Sequence, residues 1–389
     1  MAGATLGVIG VVGAGVMGSG IAQLALEAGH EVVLHDVDEA VIARGRNLIA
    51  DGLARRAARI LDDAADAGGW IGERMARLRE TDVLESLGDE ADVIVEAALE
   101  TLELKQTIFR TLDAVAPAST ILATNTSALS VTAIASATSR TDRVIGLHFF
   151  NPAPVMKLVE VVGGRETAPA VIAAAAALVE AWGRTAVRSA DSPGFIVNRV
   201  NRPFTLRALR LLERGEATVE EIDTAIRESG FPLGPFELMD LTGIDVTFAA
   251  STAIWEALAR PDRLRPSPIQ ETLIAAGRLG RKTGVGFYRY SGGRRMDVAS
   301  SEPARSHLSA DEIRDRILLP IVDEAYRIAG EGVATRPDID LALRLGAAHP
   351  VGPFERAAEA GGAASVADRL RTLVREDPSL APSYALAAG

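Results

Sequence analysis

A glycine-rich turn near the start of the chain constrains the fold most, because it lies between segments with different secondary-structure preferences. The run Leu6–Val12 predicts a buried strand, Ser19–Ala28 a helix, and Glu31–His35 a second strand. Between the first strand and the helix lie Gly13, Ala14, Gly15, Val16, Met17 and Gly18. A strand, a tight turn, a helix and a second strand make a βαβ unit, which is the building block of a parallel sheet.

This unit carries the pattern of a dinucleotide-binding domain. Gly13 permits the tight bend, Gly15 lets the backbone approach a pyrophosphate, and Gly18 lets the helix pack closely on the strand. Asp36 follows the second strand, where a carboxylate accepts hydrogen bonds from ribose hydroxyls. Because Asp36 would repel a 2′-phosphate and the next arginine is Arg44, the sequence predicts NAD rather than NADP as the cofactor.

Strand and helix patterns continue to alternate after this unit. Apolar runs at Asp92–Glu96, Ile121–Thr124 and Val144–His148 predict further strands with helical segments between them. The charged stretch Arg44–Arg79 predicts a pair of helices inserted after the second strand. The alternation implies an α/β fold: a Rossmann-type, doubly wound, mostly parallel sheet with a helical hairpin insertion.

From Ser192 onward the pattern changes to long amphipathic helices, beginning with Phe195–Arg214, and it contains an internal repeat. Ile196, Pro203, Gly215, Ala217, Thr218, Ile222, Asp223 and Gly234-Pro235-Phe236-Glu237 match Ile313, Pro320, Gly332, Ala334, Thr335, Ile339, Asp340 and Gly352-Pro353-Phe354-Glu355. Because turn residues match as well as apolar positions, the repeat predicts two tandem all-α domains, linked by the Gly/Ser/Arg-rich segment Ser291–Ser306. The predicted domains are a nucleotide-binding domain at 1–188, a helical domain at 189–292 and a degenerate second copy at 305–389.

Composition excludes several classes of function. A net charge of −11 and a pI near 5.1 argue against a surface for nucleic acid or an anionic membrane. The chain has no cysteine, which excludes disulfides, thiolate nucleophiles and cysteine–zinc sites, and no metal site is predicted. Glycines interrupt the apolar stretch Met1–Ala28, and no other segment is long and apolar enough to cross a bilayer. We therefore expect a cytoplasmic protein.

His148 closes the last of these predicted strands and is the candidate proton carrier. It would lie at the carboxyl edge of the sheet, where open α/β folds bind their ligands. Taken alone, a histidine followed by Phe149 and Phe150 is more often a core residue. Glu160 lies twelve residues further on, across a proline-bounded turn, where a returning chain can bring its carboxylate to the imidazole. Such a carboxylate fixes the tautomer and raises the basicity of the ring, so the pair is expected to act as a general base.

Several motifs together resemble one known family. In chain order they are the turn Gly13–Gly18, Val95-Glu96-Ala97, Thr124-Asn125-Thr126-Ser127, His148-Phe149-Phe150-Asn151-Pro152, Asp191-Ser192-Pro193-Gly194-Phe195-Ile196-Val197-Asn198-Arg199, Gly234-Pro235-Phe236-Glu237 and Lys282-Thr283-Gly284-Val285-Gly286-Phe287-Tyr288. The chain resembles the 3-hydroxyacyl-CoA dehydrogenase family across nearly its whole length. The glycine turn by itself is generic, but the ordered set is specific.

This resemblance implies roles for individual residues. His148 would be the catalytic acid/base with Glu160 as its partner, while Ser127 and Asn198 would hold the C3 oxygen of the substrate. The residues implied to contact NAD are Gly13, Ala14, Gly15, Val16, Met17, Gly18, Asp36, Glu100, Lys105, Ser127, Asn151 and Lys282. The sequence alone instead favours a solvated helix face for Glu100 and Lys105.

The implied coenzyme A contacts fall on the helical hairpin, where this chain departs from the family pattern. Relatives carry a serine and a lysine there, whereas this chain has Gly52 and Arg59. Arg59, together with Ser127, can still contact the CoA moiety, because a guanidinium pairs well with phosphate. The alternative is that Arg59 and its neighbours Arg55 and Arg56 form an ordinary charged face.

The predicted reaction is the reversible, NAD-dependent oxidation of a (S)-3-hydroxyacyl-CoA to the 3-ketoacyl-CoA. The candidate substrates are short-chain or dicarboxyl thioesters, such as 3-hydroxybutyryl-CoA and 3-hydroxyadipyl-CoA, in fatty-acid or aromatic-acid degradation. Two alternatives stay open: a dehydrogenase of a free hydroxy acid such as a sugar acid, and a non-catalytic NAD-binding or crystallin-like protein.

The second helical copy is expected to bind no substrate. Asp315 takes the place of Asn198 there, and nothing resembling the Lys282 loop follows. In relatives with a single helical domain, that domain forms the dimer contact. We therefore hypothesise that the built-in second copy covers the same apolar surface, and we expect a monomer or a homodimer.

Overall fold

The computed structural model describes residues 7–62, 64–299, 308–376 and 386. The chain divides into two compact units, Met1–Phe195 and Ile196–Gly389. Several predictions extend beyond the described residues: residues 1–6, which include Leu6 of the first predicted strand, and residue 63 of the predicted first domain, residues 300–306 of the predicted linker, and residues 305–307, 377–385 and 387–389 of the predicted third domain. The division into three domains at 1–188, 189–292 and 305–389 stays a prediction.

The first unit is built on an eight-stranded sheet in the order β3-β2-β1-β4-β5-β6-β7-β8. Its strands are β1 (Val8–Val12), β2 (Glu31–His35), β3 (Leu78–Thr81), β4 (Val93–Glu96), β5 (Ile121–Thr124), β6 (Val144–Phe149), β7 (Leu158–Gly163) and β8 (Thr185–Ala190). Neighbouring strands are parallel except for β6 and β7. The predicted mostly parallel sheet is therefore confirmed, although the sequence analysis did not predict β3, β7 and β8 as strands.

Helices cover both faces of this sheet. They are α1 (Val16–Glu27), α2 (Glu39–Ile60), α3 (Ala64–Met75), α4 (Leu102–Val115), α5 (Val131–Ala135) and α6 (Pro169–Ala181). Successive residues of β2 point to opposite faces: Leu34 belongs to the core under α1 and α2, and Val33 to the core under α4 and α5. The helices α2 and α3 form the predicted hairpin insertion between β2 and β3.

The central strands end side by side. Val12, the last residue of β1, pairs with His35 of β2 on one side and with Glu96 of β4 on the other. Glu96 in turn pairs with Thr124 at the end of β5. The segments that follow these parallel strands therefore meet at one carboxyl edge, where the glycine turn, Asp36 and the turn of Ser127 lie.

The second unit is mainly helical. Its elements are α7 (Val197–Val200), α8 (Arg202–Glu213), α9 (Val219–Glu228), α10 (Pro235–Thr242), α11 (Ile244–Ala257), α12 (Pro268–Ala275), β9 (Tyr288–Ser291), β10 (Arg294–Val298), α13 (Ala310–Gly330), α14 (Arg336–Gly346), α15 (Pro353–Glu359) and α16 (Ala363–Glu376). The predicted helix Phe195–Arg214 is interrupted at Asn201, between α7 and α8. No described helix is long and apolar enough to cross a membrane.

The expectation of an all-α second half is wrong at one place. The segment predicted as a linker from Ser291 contains β10, which pairs antiparallel with β9. Gly292 and Gly293 connect these strands with φ values of 55° and 77°. A two-residue hairpin turn with positive φ at both central positions favours glycine, so these glycines mark a hairpin rather than a flexible linker.

The two copies of the repeat use the same turn chemistry. In the first copy, Asp223 accepts hydrogen bonds from the backbone N–H groups of Phe236 at 3.0 Å and Glu237 at 3.1 Å. In the second copy, Asp340 accepts from Phe354 at 2.7 Å and from Glu355 at 3.3 Å. Each aspartate thereby satisfies first-turn N–H groups of the helix that follows, which explains why turn residues match in the sequence.

Candidate active site

His148 and Glu160 form a buried pair near the carboxyl edge of the sheet. They stand directly opposite each other in the antiparallel pair β6–β7. The His148 Nδ1 atom lies 2.5 Å from Glu160 Oε2, with side-chain exposures of 7% and 0%. Because an ionised carboxylate can only accept, Nδ1 carries the proton in this contact and Nε2 is the remaining ring nitrogen. The predicted contact between the two residues is confirmed.

Two aromatic rings lie beside the imidazole. The ring centroids of His148 and Phe150 are 4.5 Å apart, and those of His148 and Phe195 are 5.8 Å apart. Asn125, which follows β5, accepts a hydrogen bond from the Phe149 backbone N–H at 2.8 Å. This hydrogen bond joins the end of β6 to the segment after β5. Together with the two ring contacts, it limits rotation of the His148 ring away from Glu160.

The glycine turn has the geometry that a dinucleotide phosphate requires. Gly13 has a φ of +98°, and a Cβ on Gly18 would lie 1.7 Å from the Gly13 carbonyl oxygen. A Cβ on Gly15, by contrast, would meet no described atom within 4 Å, so this side of the turn is open. Gly15 caps α1 without a side chain, and the first turn of α1 holds no acidic residue. Its N–H groups therefore suit an anion.

Asp36 lies beside this turn. Its Oδ2 accepts from the Ala14 backbone N–H at 2.9 Å, and its Oδ1 accepts from the Val37 N–H at 2.9 Å. The carboxylate is thus held at the end of β2 next to the loop that follows β1. This placement fits the predicted contact with ribose hydroxyls, which stays a prediction for the individual residue.

Glu100 organises the turn that carries Ser127. Its Oε1 accepts hydrogen bonds from Thr126 Oγ1 at 2.6 Å, from Ser127 N at 2.8 Å, from Ala128 N at 3.2 Å and from Ser127 Oγ at 3.3 Å. Burial by itself raises the pKa of Glu100, but the charge of Lys105 and the hydrogen bonds from Thr126 and Ser127 outweigh it, so the pKa lies below its ordinary value.

Lys105 is buried, with a relative exposure of 1%. Its Nζ donates to both carboxylate oxygens of Glu96, at 2.7 and 2.9 Å, and lies 3.3 Å from Glu100 Oε2. Glu96 is fully buried at the end of β4 and also accepts from Thr124 Oγ1 at 2.7 Å. The expectation of a solvated helix face is therefore wrong for Lys105, because its ammonium group is enclosed by carboxylates.

Sequence reasoning gave no role to Glu96, Thr124 or Thr126, although all three belong to the quoted motifs. The signal was present in the run Asp92–Glu96, an apolar strand that ends on a carboxylate. A charge in a buried strand requires a hydrogen-bonded cation close by, and Lys105 provides it nine residues later.

The other predicted site residues take separate places. Asn151 and Arg59 are exposed in the first unit. Asn198 lies in α7 of the second unit, and Lys282 Nζ contacts both carboxylate oxygens of Asp245 there at 2.7 Å. Arg59, in the last turn of α2, has Arg55 as an exposed neighbour, so this end of the helix carries positive charge.

Gly52 has a packing role that the sequence did not indicate. It is buried where α2 crosses α1, and a Cβ there would lie 1.9 Å from Gln23 Oε1. A side chain at this position would point at Gln23 of α1 rather than into solvent. A side chain at position 52 would therefore require the end of Gln23 to move, which places Gly52 in the contact between α1 and α2.

Comparisons with known proteins give one consistent result. The family model described as 3-hydroxyacyl-CoA dehydrogenase, NAD binding domain, matches residues 8–192. The model for the C-terminal domain of the same family matches residues 194–290 and 313–385, which correspond to the two copies of the repeat.

Individual relatives cover most of the chain. A 3-hydroxyadipyl-CoA dehydrogenase of Escherichia coli strain K12 is 39% identical over 354 residues, which are 88% of this chain and 70% of that protein. The human mitochondrial hydroxyacyl-coenzyme A dehydrogenase is 41% identical over 282 residues, 72% of this chain and 90% of that protein. The crystal structure of a 3-hydroxybutyryl-CoA dehydrogenase from Escherichia coli K12 superposes with a TM-score of 0.86 at 33% identity, covering 96% of this chain and 95% of that one.

Proposed function

This chain belongs to the 3-hydroxyacyl-CoA dehydrogenase family, and from that premise we propose how its own residues carry out the reaction. It is an NAD-dependent oxidoreductase that interconverts 3-hydroxyacyl-CoA and 3-ketoacyl-CoA. The observation that carries the proposal is the 2.5 Å contact between His148 Nδ1 and Glu160 Oε2. This contact leaves one ring nitrogen for the substrate and supplies a negative charge behind the ring.

His148 is the proposed general acid/base. Because Nδ1 donates to Glu160, the lone pair on Nε2 accepts the proton of the substrate C3 hydroxyl. When bound, NAD would supply the hydride acceptor for C3, so that loss of the hydroxyl proton to His148 and of the hydride from C3 together convert the alcohol to the ketone. Glu160 stabilises the imidazolium that forms, since its carboxylate is already in contact with Nδ1. In the reverse direction the imidazolium returns the proton to the ketone oxygen.

Ser127 and Asn198 are the proposed donors to the C3 oxygen. Ser127 suits this role because Glu100 holds both its backbone N–H and its hydroxyl in one turn. Asn198, in α7, is assigned the same role by the family resemblance alone. Holding the oxygen limits the orientations of C3 and so lowers the entropic cost of the transition state.

The residues of the first unit fit NAD. The open side of the turn at Gly15 and the uncapped first-turn N–H groups of α1 suit the pyrophosphate, and Asp36 suits a ribose. We assign the cofactor to Gly13, Ala14, Gly15, Val16, Met17, Gly18, Asp36, Glu100, Ser127, Asn151 and Lys282. For Lys105 the buried contacts with Glu96 and Glu100 favour a different role.

The proposed substrates are short-chain or dicarboxyl 3-hydroxyacyl thioesters, with Arg59 and Ser127 contacting the CoA moiety. The names of the relatives, a 3-hydroxyadipyl-CoA and a 3-hydroxybutyryl-CoA dehydrogenase, support these two classes. The exposed Arg59 and Arg55 at the end of α2 supply positive charge for phosphates.

We also propose that the second helical copy covers the surface that single-copy relatives use for dimerisation, so that the chain is a monomer or a homodimer. A buried ion network within the second unit supports this. Arg199 of α7 donates to Glu324 at 2.8 Å and to both oxygens of Glu331 at 2.6 and 2.8 Å. Truncation near Ser291 should then change association or solubility, and an unchanged active monomer would contradict the idea. A cytoplasmic location remains part of this proposal.

The experiment that tests the function compares thioester and free acid. Oxidation of NADH is measured with acetoacetyl-CoA, with 3-ketoadipyl-CoA and with free acetoacetate, and NADPH replaces NADH in a parallel series. We expect turnover with at least one thioester, little with the free acid, and preference for NADH. Turnover of the free acid alone would indicate a hydroxy-acid dehydrogenase, and no oxidation with any acyl-CoA would indicate a non-catalytic NAD-binding protein.

A further inference from the structure

We propose that Lys105 and Glu96 are positioning residues that act through Glu100 on the turn carrying Ser127, and that Lys105 does not bind the cofactor directly. The family resemblance places Lys105 among the NAD contacts and gives Glu96 no role. The contacts in the first unit favour the opposite assignment for both residues. The proposal rests on the proposed role of Ser127 and adds the apparatus that holds it.

The ammonium group of Lys105 has no donor to spare in these contacts. An ammonium has three N–H donors. The Nζ atom of Lys105 already has four oxygen neighbours: Glu96 Oε1 at 2.7 Å, Glu96 Oε2 at 2.9 Å, Glu100 Oε2 at 3.3 Å and the Ala98 carbonyl at 3.4 Å. With a relative exposure of 1%, the side chain also presents almost no surface to a ligand.

Glu96 explains why a buried lysine is tolerated here. It is fully buried, and besides Lys105 it accepts from Thr124 Oγ1 at 2.7 Å and from the Ala98 backbone N–H at 2.7 Å. These contacts join the end of β4, the end of β5 and helix α4 at one point. Lys105 is thereby fixed in space, as a charged anchor must be if it is to orient a second carboxylate.

Glu100 is the group that Lys105 orients. Its Oε2 faces Lys105, and its Oε1 accepts from Thr126 Oγ1, Ser127 N, Ser127 Oγ and Ala128 N. Lys105 thus holds Oε2 of Glu100, while Oε1 accepts all of these hydrogen bonds from the turn after β5. The order of contact is Glu96, Lys105, Glu100 and then Ser127, which runs from a buried strand end to a proposed substrate donor.

This arrangement predicts a specific kinetic signature. Removing the anchor loosens the turn of Ser127, and misplacement of an orienting group by about 1 Å can cost about 100-fold in rate. The affinity for the cofactor depends mainly on the glycine turn and Asp36, which Lys105 and Glu96 do not contact, and only in small part on Glu100 and Ser127. If Lys105 instead donated to NAD, losing a charged hydrogen bond would weaken binding by about 10-fold or more.

The test uses the double variant Glu96→Gln/Lys105→Met, which removes both buried charges together and so leaves no unpaired charge at Glu96. We expect kcat to fall about 10- to 100-fold while the Kd for NADH, measured by fluorescence, changes by less than about 2-fold. The matched control is Asp113→Asn/Arg140→Gln, which removes a 2.6 Å ion pair between Asp113 of the same helix α4 and Arg140 of the segment before β6. The control should leave kcat near the parent value.

A second measurement tests the route through Glu100. We expect Glu100→Gln to lower kcat, and we expect the triple variant Glu96→Gln/Lys105→Met/Glu100→Gln to be no slower than the slower of its two parents. Groups that act in series give such non-additive effects, whereas independent groups multiply their losses. Multiplied losses in kcat, or a rise of about 10-fold in the NADH Kd of the double variant, would overturn the proposal.

The variant Ser127→Ala distinguishes the role of Ser127 from the positioning role of Lys105 and Glu96. A normal kcat and KM in Ser127→Ala would remove the proposed function of Ser127 itself. A slow Ser127→Ala combined with a double variant of parental kcat would leave that function intact and refute the positioning role of Lys105 and Glu96.

Discussion

Two carboxylates, Glu160 and Glu96, are fully buried in strands of the same sheet, yet their partners differ in kind. Glu160 in β7 meets the imidazole of His148 at a single oxygen. Glu96 in β4 meets the ammonium of Lys105 with both oxygens. An imidazole takes up and releases a proton near neutral pH, whereas an ammonium that is surrounded by acceptors cannot lose a donor without breaking its contacts.

This difference in partner suits one pair to proton transfer and the other to holding a fixed charge. The pair of His148 and Glu160 leaves one ring nitrogen for chemistry and places a charge where positive charge develops. The pair of Lys105 and Glu96 is buried and held by Thr124 and the Ala98 backbone, and it reaches the turn of Ser127 through Glu100. We therefore regard His148 and Glu160 as the proton-transfer pair and Lys105 and Glu96 as the anchor pair, which holds Glu100 in place.

The largest effect is expected for His148→Gln. The amide can still donate to Glu160, so the fold persists, but it cannot accept the substrate proton. A general base contributes about 10²- to 10⁴-fold, and kcat should fall by that factor while the NADH Kd is unchanged. The matched control is His30→Gln, because His30 precedes β2 at the opposite end of the sheet, where its Nδ1 contacts the Gly7 carbonyl at 3.1 Å. A near-normal kcat in His148→Gln would show that the pair of His148 and Glu160 does not transfer the proton, and the proposed difference between the two pairs would be lost.

Substitutions in the anchor pair, Lys105 and Glu96, should change the free energy of unfolding in a characteristic way. Lys105→Met leaves Glu96 as a buried charge without its cation, which costs about 3–5 kcal/mol in the free energy of unfolding. Adding Glu96→Gln removes that charge and should restore most of the loss, because an amide can still accept from Thr124. Urea denaturation of both variants measures this. Equal stability of the single and double variants would show that Glu96 does not depend on Lys105.

The same Glu→Gln substitution at Glu160 should behave differently. A neutral amide cannot stabilise the imidazolium, and its N–H group can turn the imidazole to the tautomer that lacks a lone pair at Nε2. We expect kcat to fall about 100-fold, at the lower end of a general-base contribution, with a small change in unfolding free energy. Steady-state kinetics with a thioester and urea denaturation check both parts. A large loss of stability with normal kcat would reverse the roles of the two pairs.

The sequence predicted the proton-transfer pair, His148 and Glu160, better than the anchor pair, Lys105 and Glu96, for a physical reason. His148 and Glu160 are joined by a short return of the chain, and their pairing follows once β6 and β7 are antiparallel neighbours. The glycine turn is equally local, since its function depends on the backbone of Gly13, Gly15 and Gly18. The parallel sheet followed from alternating patterns alone.

The anchor depends on tertiary contacts that a local pattern does not contain. Lys105 is a charged residue near the start of an amphipathic helix, and only the packing of α4 against the ends of β4 and β5 buries it on Glu96. Gly52 is a similar case, because its meaning comes from the crossing of α1 and α2. The hairpin at Gly292 and Gly293 was predictable from its turn residues, but its Ser- and Arg-rich flanks suggested a linker.

The smallest effect concerns the dependence of stability on pH. Burial raises the pKa of Glu100, but the charge of Lys105, together with hydrogen bonds from Thr126 and Ser127, lowers it below its ordinary value of 4.5 in the folded state. A carboxyl group with a lowered folded pKa stabilises the fold above about pH 4.5, and this contribution is lost as the pH falls toward the folded value. Urea midpoints of the parent and Glu100→Gln should therefore differ by a constant amount above pH 5 and converge below pH 4.5.

The control for this titration is Glu103→Gln, which removes an exposed carboxylate from the first turn of the same helix. Because the charge of Lys105 is the largest of the causes that lower the pKa of Glu100, the double variant Glu96→Gln/Lys105→Met should also lose most of this pH dependence. If the pH dependence of stability persists in the double variant, then hydrogen bonds from the turn of Ser127 are sufficient to lower the pKa of Glu100. The charge of Lys105 would then have no influence on Glu100.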